Sequence, residues 1–239
     1  MSVLRYWLWL STLHGIGAKT ALRLLDEAGS PEEIYFIRSR DLDRFPWLTA
    51  GERAALGDKS LDVAARVETD CAETETQIVT MRDAIYPERL RHISNPPLLL
   101  YVSGRLPALD DLPAVTMVGT RSCTPYGIKT AERIAYEYTR AGGLVVTGLA
   151  RGVDTAAVRG ALRAGGRPVC VLGNGTNVPY PRENAKLYQD VLCLLYTSCK
   201  SHPWYYIYHS RRRICLSRGA VRLWKIDHCE IDDRGNCTD

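Results

Sequence analysis

Three glycine-containing turns in the middle of the chain hold the residues best suited to binding chemistry. Those residues are Gly119, Thr120, Arg121 and Ser122 in the first turn, Gly148, Arg151 and Gly152 in the second, and Asn174 in the third. Glycine lets a backbone approach a ligand closely, and the planar guanidinium of arginine matches a phosphate. Because anions also bind well at helix N-termini, the pattern predicts a phosphate-binding site. A simpler interpretation stays open, in which the glycines only permit close packing and the arginines are solvated.

Two further side chains at these turns have more than one interpretation. Asp154 could cap the helix after the second turn, or it could hold Arg121 or Arg151 in place. Cys123 has no histidine near it in the sequence, so we expect it to fill space as a small hydroxyl would. The sequence lacks the nucleophile-elbow, zinc-protease and kinase signatures, and no strand is followed by Gly-x-Gly-x-x-Gly spacing. We therefore expect no catalytic residues, no metal and no cofactor.

The elements that must position these turns alternate between strand and helix. Short apolar runs at 114–118, 144–147 and 168–172 predict buried strands, and helical spacing at 126–140 and 153–164 lies between them. This order implies a parallel sheet with right-handed crossovers, so the three turns meet at one sheet edge. We predict an α/β, Rossmann-like domain over residues 76–190.

A small helical domain is predicted over residues 1–75. Its Gly15-Ile16-Gly17 turn between two apolar helices resembles a helix-hairpin-helix motif, and the domain as a whole is similar to SAM or helix-hairpin-helix domains. Such a turn can hold a DNA phosphate with its backbone N–H groups. An ordinary helical hairpin is the alternative.

Residues 191–239 differ abruptly in composition from the rest of the chain. They contain five of the eight cysteines but no Cys-x2-Cys pair, so the spacing does not favour a zinc site. The segment could be a small separate domain. We favour instead a non-homologous tail, disordered or produced by a frame shift or foreign sequence.

Overall composition sets only loose limits. The chain has 239 residues, a net charge of +4 and 46% hydrophobic residues, which is enough for a folded core but too weakly basic to indicate nucleic acid by itself. It shows neither a cleavable leader pattern nor a long apolar stretch. We expect a cytoplasmic protein with no membrane partner.

An ordered series of motifs resembles the bacterial DNA-processing protein DprA (Smf) family. The series comprises the residues Tyr86-Pro87-x-x-Leu90-x-x-Ile93, Asn95 to Tyr101, Val118 to Arg121, Gly148 to Asp154, Leu172 to Gly175, and Tyr180-Pro181. The resemblance covers about residues 1–190, the front portion of the family's pattern. It implies a Rossmann-like protein that binds single-stranded DNA, forms a homodimer and loads the RecA recombinase during natural transformation, without enzymatic turnover.

By the same resemblance, Gly119, Thr120, Arg121 and Ser122 form the phosphate pocket, with Gly148, Arg151 and Gly152 beside it. The family usually has a histidine where this chain has Val158. The family's later strands, with an aromatic for base stacking and the dimer surface, have no counterpart after Asp190. The sheet could therefore lack partners on one side.

The alternative function is a Rossmann-type enzyme that hydrolyses nucleoside monophosphates. Enzymes of that class have a similar phosphate-binding edge. They are expected to contain a Pro-Gly-Gly-x-Gly-Thr-x-x-Glu segment, which this sequence lacks.

Overall fold

A computed structural model describes residues 2–104 and 106–192, and beyond them the strand segments 205–208, 222–226, 230–231 and 237–238. The chain divides into two units, Met1–Tyr101 and Val102–Asp239. The predicted boundary after residue 75 falls inside the first unit, because the strand that follows it packs against the preceding helix. Most of the predicted tail, 191–239, lies outside the described residues.

The first unit is mainly helical, as predicted. In chain order its elements are α1 (Val3–Thr12), α2 (Ala18–Ala28), α3 (Pro31–Phe36), a 3-10 helix (Ser39–Arg44), α4 (Ala50–Gly57), α5 (Asp62–Glu73), β1 (Thr76–Thr80), α6 (Glu88–Arg91) and β2 (Leu99–Gly104), which continues into the second unit. Helix α1 is apolar nearly all round, and its consecutive residues Leu8, Trp9 and Leu10 are all buried. The Trp9 indole satisfies its donor by bonding the Asp58 carbonyl at 2.9 Å.

Local signals set where these helices begin. Ser30 caps α3 by accepting a hydrogen bond from the Glu33 amide, with Pro31 in the first helical position. Gly15 has a φ of +90° in the turn between α1 and α2, a conformation that favours glycine. The predicted helix, Gly-x-Gly turn and helix are therefore present, and DNA contact by this turn stays a prediction.

The second unit is built around a parallel sheet. Its elements are β3 (Ala114–Gly119), α7 (Pro125–Arg140), β4 (Leu144–Thr147), α8 (Val153–Arg163), β5 (Val169–Leu172), a 3-10 helix (Arg182–Asn184), α9 (Ala185–Leu192), β6 (Tyr205–Tyr208), β7 (Arg222–Ile226), β8 (Glu230–Ile231) and β9 (Cys237–Thr238). The parallel strands run in the order β6-β5-β4-β3-β7, and β8 pairs with β9 in antiparallel fashion. The predicted α/β, Rossmann-like fold is confirmed. Among the described residues, no helix has the length and apolar character needed to cross a bilayer.

Two strands were not expected from the sequence. Strands β6 and β7 come from the predicted tail and pair with β5 and β3, so both of these strands have a second neighbour. The aromatic run Tyr205–Tyr208 has high β-propensity. Four residues are nevertheless too few to reveal a strand by periodicity alone.

Two apolar clusters hold the helices against the sheet. Met117, Val145 and Val153 pack with alanines of α7 and α8, and the small side chains let these helices approach closely. In the other cluster, Val158 is fully buried and packs with Leu149 and with Leu187, Tyr188 and Val191 of α9. Val158, where the resemblance predicts a histidine, is therefore an apolar core residue.

Gly160 lies where α8 packs closely against the backbone of α7. A Cβ built on Gly160 would lie 2.9 Å from the Glu132 carbonyl carbon and 3.0 Å from Ala135 Cβ. We expect Gly160→Ala to lower the free energy of unfolding by about 1–3 kcal/mol, because the helices must separate. Urea unfolding followed by circular dichroism measures the change.

Gly127→Ala is the matched control, since a Cβ on Gly127 in α7 would meet its nearest atom at an ordinary 3.5 Å. We expect that variant to be neutral or more stable by up to about 1 kcal/mol. Equal effects of the two substitutions would contradict the packing account.

Candidate functional site

The first and second predicted turns, residues 119–124 and 148–152, are in direct contact. They follow the neighbouring parallel strands β3 and β4, whose carboxyl ends share one edge of the sheet. The Val153 amide at the start of α8 donates a hydrogen bond of 3.3 Å to the Thr120 carbonyl. Gly152 has a φ of +78°, and a Cβ there would collide with the same carbonyl. The two turns therefore form one surface that only glycine at position 152 permits.

The glycines of these turns are close to other atoms of the protein. A Cβ on Gly119 would lie 2.7 Å from Val153 Cγ2, and one on Gly148 would lie 2.9 Å from Asp154 Oδ2. Their lack of a side chain is thus required for packing, as the simpler interpretation of the sequence has it. A role of their backbone in phosphate binding stays a prediction.

The first turn holds its shape through its own hydroxyl groups. Thr120 Oγ1 accepts a hydrogen bond from the Ser122 amide at 3.2 Å and lies 3.2 Å from the Ser122 carbonyl. Thr124 caps α7 by accepting from the Gly127 amide at 3.1 Å. Arg121 projects from this ordered turn as an exposed side chain. It has no hydrogen-bond or ion-pair partner in the described part of the chain.

Cys123 is half-buried beneath the first turn. Its Sγ donates to the Thr120 carbonyl at 3.1 Å. Burial raises the pKa of the Cys123 thiol, which disfavours the nucleophilic thiolate. This agrees with the predicted space-filling role.

Asp154 holds the second turn through backbone amides. It is only 5% exposed, and its Oδ2 accepts from the amides of Gly148 at 3.1 Å and Ala150 at 3.4 Å. The N-cap residue of α8 is Gly152. Within the part of the chain that the structure describes, Asp154 therefore neither caps the helix nor pairs with an arginine. Burial raises the pKa of its carboxyl, although these hydrogen bonds oppose the shift.

Arg151 has a carboxylate partner that the sequence did not reveal. Its Nη2 lies 2.8 Å from Glu183 Oε2, and its Nε also bonds that carboxylate. The hydrogen bond and charge of Glu183 raise the pKa of Arg151, and Arg151 lowers the pKa of Glu183. Both side chains are more than half exposed, so the pair forms on the surface of the site.

Asn184 is a second residue that the sequence analysis missed. It is 4% exposed, and its Nδ2 donates to the Leu149 carbonyl at 3.2 Å and to Thr155 Oγ1 at 2.7 Å. Leu149 is fully buried with a φ of +54°, which is unusual for a residue with a side chain. Asn184 stabilises this strained turn, and no local pattern marks it as buried.

Asn174 in the third turn uses its amide within its own loop. Its Nδ2 donates to the Gly175 carbonyl at 3.1 Å and also to the Val178 carbonyl. Both amide hydrogens thus have acceptors. The third turn follows β5, which lies next to β4 in the sheet. Phosphate binding by Asn174 stays a prediction.

The role of Asp154 can be tested by unfolding at two pH values. We expect Asp154→Ala to destabilise the protein by about 1–3 kcal/mol, because the amides of Gly148 and Ala150 lose their acceptor. Because the pKa of Asp154 is higher in the folded than in the unfolded state, Asp154 contributes most to the free energy of unfolding below about pH 4. This contribution falls as the pH rises through the folded-state pKa. The difference from wild type in urea unfolding should therefore be larger near pH 4 than near pH 7. The exposed Asp190→Ala serves as control, and a difference that grows with pH would contradict the assignment.

Comparison with known proteins places this chain in a described family. The family model for DNA recombination-mediator protein A matches residues 77–221. Protein Smf of Synechocystis sp. is 29% identical over 198 residues, which cover 78% of this chain and 48% of the relative. DNA processing protein DprA of Streptococcus pneumoniae is 35% identical over 145 residues, which cover 58% of this chain and 51% of the relative.

A solved structure supports the same relationship. The X-ray structure of DNA processing protein A from Streptococcus pneumoniae superposes with a TM-score of 0.57 at 25% identity, covering 87% of this chain and 68% of that one. The chain spans about half the length of the relatives Smf and DprA. The resemblance predicted from the motifs is confirmed, and the chain belongs to the DNA recombination-mediator protein A family.

Proposed function

We propose that this chain binds the phosphate backbone of single-stranded DNA at the joined first and second turns, chiefly through Arg121. The observation that supports this most is an exposed guanidinium without an acidic partner in the described residues, on a turn tied to its neighbour by the Val153–Thr120 hydrogen bond. A turn that is already ordered positions the guanidinium before DNA binds, so little conformational entropy is lost on binding.

The helices that follow the two turns favour an anion at the same place. Helix α7 has 16 residues and α8 has 11, and each begins directly after one of the turns. Aligned peptide dipoles make each helix N-terminus partly positive, an effect that falls off within the first turn. Two such ends beside Arg121 favour a phosphate more than an uncharged group.

We also propose a wider activity, which this site alone does not supply. Family membership supports a non-enzymatic recombination mediator that loads RecA recombinase onto single-stranded DNA in the cytoplasm during natural transformation. Because the chain spans about half of its relatives, RecA contact and homodimer formation are proposed for the intact protein.

Hydrolysis of nucleoside monophosphates is the second candidate. The observation in its favour is Glu183, an exposed carboxylate beside Arg151 that could act on a bound nucleotide. The two candidates differ in what they bind, since a mediator must favour a polymer over a single nucleotide.

The first test is Arg121→Ala, measured by fluorescence anisotropy with labelled oligo-dT. Loss of a phosphate contact should weaken binding about ten-fold. It should also reduce the magnitude of the slope of log K against log salt concentration by about one. Arg140→Ala, at the far end of α7, removes the same charge and should change binding little. Equal affinity of wild type for thymidine monophosphate and oligo-dT would favour the nucleotide-hydrolysing alternative.

A second test concerns the carboxylate that pairs with Arg151. We expect Glu183→Gln to strengthen oligo-dT binding several-fold at low salt, because a repelling charge is removed and the Arg151 guanidinium is released. An exposed pair contributes only about 0–1 kcal/mol, so the fold should be unaffected.

Arg151 and Glu132 provide the controls for this test. The gain should shrink when Glu183→Gln is combined with Arg151→Ala. Glu132→Gln, which breaks the ion pair with Arg163 on α7 and α8, should leave DNA binding unchanged. Unchanged or weaker binding by Glu183→Gln would argue against Arg151 as a phosphate ligand.

A further inference from the structure

Two tyrosines beside the site are left in solvent. Tyr126 is 75% exposed and Tyr180 is 54% exposed. Within the described residues neither side chain makes a hydrogen bond or a ring contact. Exposed aromatic rings beside a cationic site are informative, because tyrosine normally uses its ring or hydroxyl in packing or recognition.

Tyr126 stands at the start of α7, directly after the first turn. It follows Pro125, the first residue of the helix, and Thr124 caps the helix one residue earlier. Side chains on a helix lean towards its N-terminus. The Tyr126 side chain is therefore expected to lean towards the N-terminal end of α7, which follows the turn with Arg121, on a backbone fixed by the cap.

Tyr180 stands on the other side of the site, between β5 and the 3-10 helix. The segment around it is anchored at both ends. Asn174 donates to the Val178 carbonyl, and the Pro181 carbonyl accepts from the Asn184 amide at 2.9 Å. Pro181 itself is buried. An exposed ring on an anchored segment can bind a ligand with little loss of freedom.

The sheet order places an arginine-bearing turn between the two tyrosines. Tyr126 follows β3 and Tyr180 follows β5, and β4 with its Arg151 turn lies between these strands. Neighbouring strands of a sheet are about 5 Å apart, so β3 and β5, with β4 between them, are about 10 Å apart. Tyr180 also lies close enough to Arg151 to add, after Glu183, to the rise in the pKa of Arg151.

From this arrangement we infer that Tyr126 and Tyr180 are stacking platforms for bases of the single-stranded DNA whose backbone Arg121 binds. The inference rests on the proposed function and adds the contact that the base makes. Proteins that bind single strands without reading sequence combine cationic backbone contacts with aromatic rings, because every base has a face that can stack. The chain thus contains its own stacking residues, beside the phosphate site.

The experiment separates backbone contacts from base contacts with two probes. Labelled oligo-dT of about 20 nucleotides and an abasic oligonucleotide of equal length have the same phosphates, but only the first has bases. Anisotropy titrations of the full chain compare wild type, Tyr126→Ala, Tyr180→Ala, the matching phenylalanine variants and Arg121→Ala. Tyr136→Ala is the control, since this α7 tyrosine contacts Arg163 instead of the turns.

We expect each alanine variant to bind oligo-dT about ten-fold more weakly, with abasic binding unchanged. The phenylalanine variants should bind like wild type, because stacking needs the ring and not the hydroxyl. Arg121→Ala should weaken binding of both probes. Circular dichroism and the unfolding midpoint confirm that each variant is folded.

Three results would overturn the inference. Alanine variants that bind oligo-dT normally, or that lose both probes equally, would exclude stacking while leaving an Arg121-dependent phosphate site intact. Phenylalanine variants as weak as the alanine ones would assign the effect to the hydroxyl. A wild-type chain that binds neither probe would overturn the proposed function together with the stacking.

Discussion

The contact between the turns after β3 and β4 is the constraint on which the site depends. Adjacent parallel strands bring their carboxyl ends together, but only a glycine at position 152 lets the second turn lie against the Thr120 carbonyl. The hydrogen bond from the Val153 amide then joins the start of α8 to the first turn. As a result, Arg121 and two helix N-termini act on one region of space.

Two buried polar side chains, Asp154 and Asn184, stabilise the backbone of the second turn. Asp154 binds the amides of the second turn, and Asn184 binds the carbonyl of strained Leu149. Such groups are costly to bury unless they are hydrogen-bonded, and here the bonds define a single backbone conformation. Sequence-distant elements thus stabilise a turn that is only a few residues long. The side chains of Arg121, Arg151 and the two tyrosines are exposed beside this turn, and Arg151 is paired there with Glu183.

Charge in the site is not uniformly positive. Arg151 shares its guanidinium with Glu183, whereas Arg121 has no such partner in the described residues. The two arginines looked equivalent in the sequence, since each follows a glycine after a strand. Their environments make Arg121 the stronger candidate for the first phosphate contact and make Arg151 dependent on its acidic neighbour.

The sequence by itself determined the alternation of strands and helices from β3 to β5, the mainly helical character of the first 75 residues and the family. These follow from local rules: apolar runs, caps such as Ser30 and glycines such as Gly142 with a φ of +85° depend on near neighbours in the chain. Only the tertiary structure decided the partners of the polar side chains. Arg151 and Glu183 are 32 residues apart, and nothing in a local pattern couples them. Likewise, β6 and β7 are recognisable as strands only through pairing with β5 and β3, because a short run acquires its conformation from its neighbours in the sheet.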